Sequence, residues 1–380
     1  MSTITCVEDL RQQAKKRMPR AFYDYVDSGS YTESTYRANE ADFAALKIRQ
    51  RVAVNVDNRQ LSTHLLGQAV KMPLAIAPTG LTGMMWANGE ILAARAAEKF
   101  GVPYTLSTMS ICSIEDVAEA TSTPFWFQLY VMRDRDFIRD LIRRAKAARC
   151  SALVLTLDLQ IMGQRHKDLK NGMTVPPRAT LANILDIARK PGWAIRMLGA
   201  KRKTFGNLDG HVKDADGINN LARWTAQQFD PTLSWDDVAW IKDLWGGKLV
   251  LKGILDVEDA KMAVKCGADA IVVSNHGGRQ LDGALSSIAA LPDIVAAVGN
   301  QTEVYLDGGI RTGQDIMKAL ALGAKAAMIG RAYLYGLGAQ GEAGVSTVLE
   351  TLYKELDTTM ALAGLDNVSA ISRDALLLPR

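Results

Sequence analysis

The feature that most constrains this chain is a repeated alternation. Short runs rich in Val, Ile, Leu and aromatic residues recur about eight times. They lie at roughly 73–77 (PLAIA), 102–106 (VPYTL), 125–130 (FWFQLY), 152–157 (ALVLTL), 248–252 (KLVLK), 270–274 (AIVVS), 303–306 (EVYL) and 325–329 (KAAMI). Several are apolar almost throughout, as strands covered on both faces must be, which points to a parallel sheet. The intervening segments, such as GEILAARAAEKFG, DVEDAKMAVKCGA and TGQDIMKALALGA, read as helices, several ending in a glycine suited to the left-handed C′ position. About eight βα units suggest a (β/α)8 TIM barrel, with an open doubly wound sheet as the alternative. The residues at the carboxyl ends of the runs decide between them. Thr79, Ser107, Gln128 with Tyr130, Thr156 with Asp158, Lys252, Ser274 with His276, Asp307, and Gly330 with Arg331 are chemical nearly every time. In a barrel those ends surround one site; in an open sheet they would be strung along an edge. The expected fold is the α/β barrel.

Two parts fall outside the repeat. Residues 1–60 precede the first barrel strand, and YDYVDSGSYTESTYRANEADF reads as helix, glycine-containing turn, helix. The gap at about 159–247, after the fourth strand, far exceeds a usual βα connection and must hold a functional excursion. Residues 1–380 are otherwise expected to form a single domain. Hydrophobic residues at 48% and charged residues at 23% exclude a disordered or collagenous chain. A net charge of +4 is too even to argue for nucleic acid. Cys6, Cys112, Cys150 and Cys266 form no CxxC pair, so zinc and thioredoxin chemistry are unsupported, no metal is expected, and reduced thiols in a cytoplasmic setting are the default. The N-terminus lacks the apolar core of a secretory signal, and no window is long enough to span a bilayer.

The densest constellation is SNHGGRQLDG, Ser274 to Gly283, directly after an apolar run. Adjacent glycines let backbone approach a ligand. His276 offers a base that works near neutral pH, and Arg279 a planar cation that holds a carboxylate bidentately. Together they suit a small acid that must lose a proton. DGGIRTG (Asp307 to Gly313) and IGRAYLYG (Ile329 to Gly336) close the seventh and eighth strands, where glycine-rich loops before helix N-termini cradle phosphate; Arg311 and Arg331 would add charge. Lys252, inward on an apolar strand, is costly unless it serves an anion. Asp158 either orients His276 and stabilises it once protonated, or caps a helix.

These blocks, with YDYVDSG, IAPTG, FQLYV and TLD in order, resemble the FMN-dependent L-2-hydroxy acid oxidising flavoproteins over nearly the whole chain. LSTMSICSIEDVA, FWFQLYVMRDR, QFDPTLSWDD and WGGKLVLKGILD are most similar to the bacterial branch that oxidises L-lactate with quinone as acceptor. The resemblance implies that FMN is the cofactor and a small 2-hydroxy acid the substrate. L-lactate is placed first, and L-mandelate oxidation or an oxygen-using oxidase stands as the alternative. It implies that His276 takes the substrate proton, that Arg279 and Arg165 hold its carboxylate, and that Tyr25 and Tyr130 hydrogen-bond carboxylate and hydroxyl. Ala77, Pro78 and Thr79, with Ser107, Gln128, Thr156, Lys252 and Ser274, would line the isoalloxazine and ribityl parts. Asp307, Gly308, Gly309 and Arg311, with Gly330 and Arg331, would hold the ribityl and phosphate end. Departures from the family pattern are DLQIM at 158–162, GQR before the clamp arginine, Met109 where glycolate oxidases carry a large aromatic, and Gly80, which favours a dehydrogenase over an oxidase.

Within 189–213, RKPGWAIRMLGAKRKTFGNLDGHVK, seven basic residues stand against one Asp. Trp193, Ile195, Met197, Leu198 and Phe205 interleave with the cations, a mixture suited to anionic lipid; a solvated loop or an oligomer contact is the competing reading. The resemblance implies a peripheral protein on the cytoplasmic face of the bacterial inner membrane, and a homotetramer.

Overall fold

The computed structural model describes residues 3–173, 180–209, 211 and 228–377. Its frame is eight parallel strands: β1 (Leu74–Ile76), β2 (Thr105–Ser107), β3 (Trp126–Tyr130), β4 (Ala152–Thr156), β5 (Lys248–Ile254), β6 (Ala270–Val273), β7 (Glu303–Asp307) and β8 (Ala326–Ile329). Each pairs with its neighbour in sequence, and β8 returns to β1. The ring closes between β1 and β2 through a parallel bridge of Ile76 with Tyr104, where the Ile76 N–H donates to the Pro103 carbonyl at 2.8 Å. The expected barrel is therefore found. Most boundaries differ by a residue or two, and the largest difference is at the run read as a strand at 102–106, which is ladder only at Thr105–Ser107. Pro103 has no N–H to give a ladder, so regular pairing begins after it.

Strand alternation sorts the side chains. Ala75, Trp126, Val154, Val250, Val272, Tyr305 and Met328 point inward and fill the barrel, with Trp126 and Tyr305 stacked at 6.2 Å. A hairpin, Thr63–Leu65 with Gln68–Val70, adds Leu65 and Val70 to that inner core. Opposite-parity residues such as Leu106, Phe127, Leu153, Leu251 and Ile271 face the helices in the larger outer core. A buried leucine there contributes about 1.5–3 kcal/mol by leaving water, so truncation to Ala costs about 2–5 kcal/mol. The same parity turns the last inward positions, Ser107, Gln128, Tyr130, Thr156, Lys252 and Asp307, toward the barrel mouth. Tyr130 lies opposite Thr156, and Thr156 opposite Lys252, so one layer of polar groups crosses three strands.

The N-terminal extension forms helices Val7–Arg17, Arg20–Val26 and Ser34–Ala45. Asp27 anchors it: its carboxylate accepts from Arg11, Tyr23, Tyr36 and Tyr335. Asp282 takes four donors from Thr32, Ser34 and Thr35, tying the turn after Asp27 to the loop after β6. The excursion after β4 holds helices His166–Lys170, Leu181–Ala188 and Pro191–Leu198 before the barrel helix Trp235–Trp245. Trp193 stacks on Phe22 at 5.4 Å and donates from Nε1 to the Met84 carbonyl at 2.9 Å, so excursion and extension pack over the barrel mouth together.

Candidate active site

At that mouth lies a cavity of about 650 Å³. Its wall includes Ala77, Pro78 and Thr79 from the loop after β1, Tyr130, Lys252, His276 and Arg279, the loop Asp307–Arg311, Gly330 and Arg331, together with Tyr25 from the extension and Arg165 from the excursion. Ser107, Gln128, Thr156 and Ser274 lie buried at the strand ends, outside that wall. The sequence-expected set is thus brought together, from segments more than 300 residues apart.

His276 takes a left-handed conformation (φ +58°). A non-glycine residue there carries strain of about 1–3 kcal/mol, held by its surroundings. Its backbone N–H donates to Ser274 Oγ at 3.1 Å, and its Nδ1 meets Asp158 Oδ1 at 2.9 Å. Burial pulls the imidazole below its ordinary pKa, with Lys252 and Arg165 acting the same way and Asp158 opposing. Burial alone would raise Asp158, but His276 and Lys252 hold it below the usual carboxylate range. The result is a neutral imidazole with a charged carboxylate behind it. Of the two readings for Asp158, the geometry is that of an orienting group. Gly253 makes room for it. Its φ is +100°, it lies where the β5–β6 register shifts, and a Cβ there would stand 2.7 Å from Asp158 Cγ.

Lys252 is buried between two partners, Asp307 Oδ2 at 2.8 Å and Ser274 Oγ at 2.9 Å, and Ser274 Oγ in turn donates to Asp307 Oδ1. The anion that the lysine needs is therefore supplied within the chain. Arg279 Nη1 donates to the Tyr25 and Ser28 carbonyls, its guanidinium lies 4.6 Å over the Tyr25 ring, and Nη2 is buried without a partner. Burial, then the nearby Arg165, pull its pKa down to about 10. Arg165 is tied to the Arg279 carbonyl and to Gln280 Oε1, and lies 3.9 Å from Asp168. Arg331 donates to the carbonyls of Val26, Gly277 and Ser28, while Arg311 pairs with Glu40 at 2.9 Å.

The fit to FMN can be tested on unpaired atoms. Ser107 Oγ donates to Gln128 Oε1 at 3.0 Å, which leaves Gln128 Nε2 buried with no acceptor; Thr156 Oγ1 is also buried and unpaired. Orphaned buried donors cost about 1–3 kcal/mol each, so their presence at adjoining strand ends asks for a polar ring ligand. Gly308 and Gly309, at φ +99° and +89°, give a turn at the other end that side chains rarely adopt. The residues present fit a flavin mononucleotide. Among the described residues no group of His, Cys, Asp and Glu is arranged to hold a metal ion, and the four cysteines are free thiols.

Sequence reasoning missed Gly253 and Asp168. An isolated glycine in an apolar strand does signal a bulge. Asp168, in HKDLK, carries no signal of its own. The lipid reading of 189–213 is altered in detail. Trp193 and Phe205 are buried, Arg202 pairs with Asp116 and Asp209, and residues 210 and 212–213 lie outside the described residues. The exposed apolar face is instead Leu181, Ile184 and Leu185 with Ile195 and Leu198. No helix among the described residues is long and apolar enough to cross a membrane.

The profile of a family described as FMN-dependent dehydrogenase matches residues 14–378. A protein named L-lactate dehydrogenase from Caulobacter vibrioides is 47% identical over 98% of this chain and 97% of its own. A second of that name from Ectopseudomonas mendocina is 45% identical over 99% and 100%. Among solved structures, the monotopic membrane protein (S)-mandelate dehydrogenase superposes with a TM-score of 0.94 at 38% identity, over 99% of this chain and 100% of that one.

Proposed function

This chain belongs to the FMN-dependent dehydrogenase family, and from that premise we propose that it oxidises L-lactate to pyruvate and passes the electrons to a quinone at a membrane surface. The observation that carries the reading is one cavity in which a neutral, carboxylate-backed His276 faces two buried guanidiniums. Arg279, with its free Nη2, and Arg165 hold the substrate carboxylate; Tyr25 and Tyr130 hydrogen-bond carboxylate and hydroxyl. His276 takes the hydroxyl proton, and Asp158 stabilises the imidazolium and keeps Nδ1 turned away from the substrate. FMN, when bound, supplies the two-electron acceptor for the substrate carbon. Ala77 to Thr79, Ser107, Gln128, Thr156, Lys252 and Ser274 would hold its ring and ribityl parts. Asp307 to Gly309, Arg311, Gly330 and Arg331 would hold the ribityl and phosphate end, at the N-terminus of helix Arg331–Gln340.

L-mandelate is the second reading. It is favoured by the likeness to (S)-mandelate dehydrogenase and by a cavity wall of Leu81, Met109, Leu159, Met162 and Phe229 that can take a larger side chain. Anaerobic mixing with each acid separates them. Loss of the flavin's visible absorbance with L-lactate, persisting until quinone is added, is expected; bleaching by L-mandelate alone would move the substrate, and rapid recovery in air would make the enzyme an oxidase.

The exposed apolar face of Leu181–Ala188 and Pro191–Leu198, beside Arg189 and Lys203, supports attachment to anionic lipid, which the family likeness puts on the cytoplasmic side of the inner membrane. Replacing Leu185, Ile195 and Leu198 together with Ser should release the protein from sedimenting vesicles. Unchanged sedimentation would refute the attachment. The homotetramer implied by the family likeness is read by sedimentation velocity.

A further inference from the structure

The cavity is longer than its chemistry requires. A flavin and a three-carbon acid account for the wall from Arg311 and Gly330 to His276 and Arg279. The same wall also carries an apolar group, Phe22, Met84, Met173, Ile184 and Ile187, of which Phe22 and Met84 are joined through Trp193; this group is taken as a second arm of the cavity. Phe22 stands three residues before Tyr25 on helix Arg20–Val26, so the two share a face and lead from arm to reaction chamber. Trp193 fastens the outer wall by its stack on Phe22 and its bond to the Met84 carbonyl.

We infer that this arm is the entry and binding site of a lipid-borne isoprenoid quinone, its tail on Phe22, Met84, Ile184 and Ile187 and its ring at Tyr25 and Asp168. The inference rests on the quinone-linked reading above and says where that acceptor binds. Continuity identifies the occupant. Ile184 belongs to the cavity wall and is also 56% exposed on the apolar outer face, beside Leu181 and Leu185. Apolar side chains thus line the cavity from the surface assigned to lipid inward, which a water-soluble acceptor would not need. The second observation is Asp168. It lines the cavity, is nine-tenths buried, and its Oδ1 has no partner. Asn171, Asn183 and Asp186 on the same wall are already engaged, with Asp24, the Asn171 carbonyl and the Arg20 N–H. Burial raises Asp168 from its ordinary value while Arg279 and Arg165 act against the shift, and its open Oδ1 is an acceptor for the hydroxyl of the quinol. The overall exchange balances: lactate loses its hydroxyl and carbon-bound hydrogens as two protons and two electrons to become pyruvate, and the quinone takes up two protons and two electrons, one hydrogen on each oxygen, to give the quinol.

The test uses the FMN-loaded full chain in anionic vesicles and its Met84→Trp and Ile187→Trp variants, which fill the arm. Lactate-driven turnover is measured with decylubiquinone and with the soluble dye dichlorophenolindophenol. The ratio of quinone-linked to dye-linked turnover is expected to fall by about tenfold or more in both variants. An azidoquinone should label peptides spanning 19–26 and 180–190, and excess decylubiquinone should suppress that labelling. If the wild type reduces decylubiquinone, the ratio is unchanged in both variants and the label falls elsewhere, the arm is wrong while the quinone-linked reading stands. If the wild-type flavin bleaches with lactate but passes no electrons to decylubiquinone, both are wrong.

Discussion

Replacing Asp158 with Asn removes one charge and leaves the shape of the site intact. The carboxylate accepts from His276 Nδ1 at 2.9 Å, and both groups are largely shielded from solvent. With charge centres ~4 Å apart and an effective dielectric near 20, the pair gains about 4 kcal/mol once the imidazole is protonated. If roughly half of the proton has moved at the transition state, the loss is ~2 kcal/mol, or about 30-fold in rate; complete transfer brings it to ~10³-fold. The sign of the pH effect follows from the native site, where His276 already titrates below ~6.5. Flavin reduction rises with pH through that lowered pKa and levels off once the imidazole is neutral. Asp158, held below the usual range, stays ionised throughout. In Asp158→Asn the imidazolium loses its counter-ion, so the acidic limb moves to still lower pH while the plateau drops. Anaerobic stopped-flow reduction across pH, at matched FMN content, measures both. A plateau within about threefold of wild type with an unmoved limb would refute the role given to Asp158.

Gly253→Ala should act through the same group. The new methyl meets Asp158 Cγ at 2.7 Å and the backbone stands at φ +100°, so flavin reduction should slow while FMN stays bound, read by absorbance of the purified protein. Lys252→Met leaves Asp307 buried without its cation and should cost about 3–5 kcal/mol in thermal unfolding. Adding Asp307→Asn should restore much of that stability without restoring flavin reduction; recovery of both would make the pair purely structural.

The barrel was legible because apolar runs recurring between helical segments are a local signal, and the mouth was legible because nearly every run ends on a chemical residue. Pro103 shows where locality stops: the run through VPYTL has strand composition, but a missing N–H delays the ladder to Thr105. The excursion shows a deeper limit. Apolar spacing marks a face without saying what covers it, so Trp193 and Leu198 looked alike in sequence. Phe22, about 170 residues away, takes one inward, and nothing among the described residues covers the other, which is 77% exposed. Asp168 is hidden for the same reason. HKDLK is an ordinary surface helix until helix Arg20–Val26 packs against it.

Charge pairing separates the two anions this site must hold. Two carboxylates at the cavity each have a cation, Asp307 with Lys252 and Asp168 with Arg165 at 3.9 Å, while Asp158 backs the neutral imidazole of His276. Arg311 has Glu40. Arg279 and Arg331 remain, held by backbone carbonyls and aromatic rings, with no carboxylate in ion-pairing contact among the described residues and both pulled down by burial. A buried cation without a counter-ion is costly unless a ligand supplies one, and the reaction requires two anionic ligands, a carboxylate and a phosphate. Arg279 stands beside His276 and Arg165, Arg331 at the glycine-rich end, so the losses should divide. Arg279→Lys forfeits planar, bidentate contact worth about 1.5–3 kcal/mol, a 10- to 150-fold fall in kcat/KM carried by KM, with FMN retained. Arg331→Gln should weaken FMN retention on dialysis and leave KM for L-lactate in the reloaded enzyme nearly unchanged. If Arg331→Gln raised KM and kept its flavin, the division of labour between the two cations would be wrong.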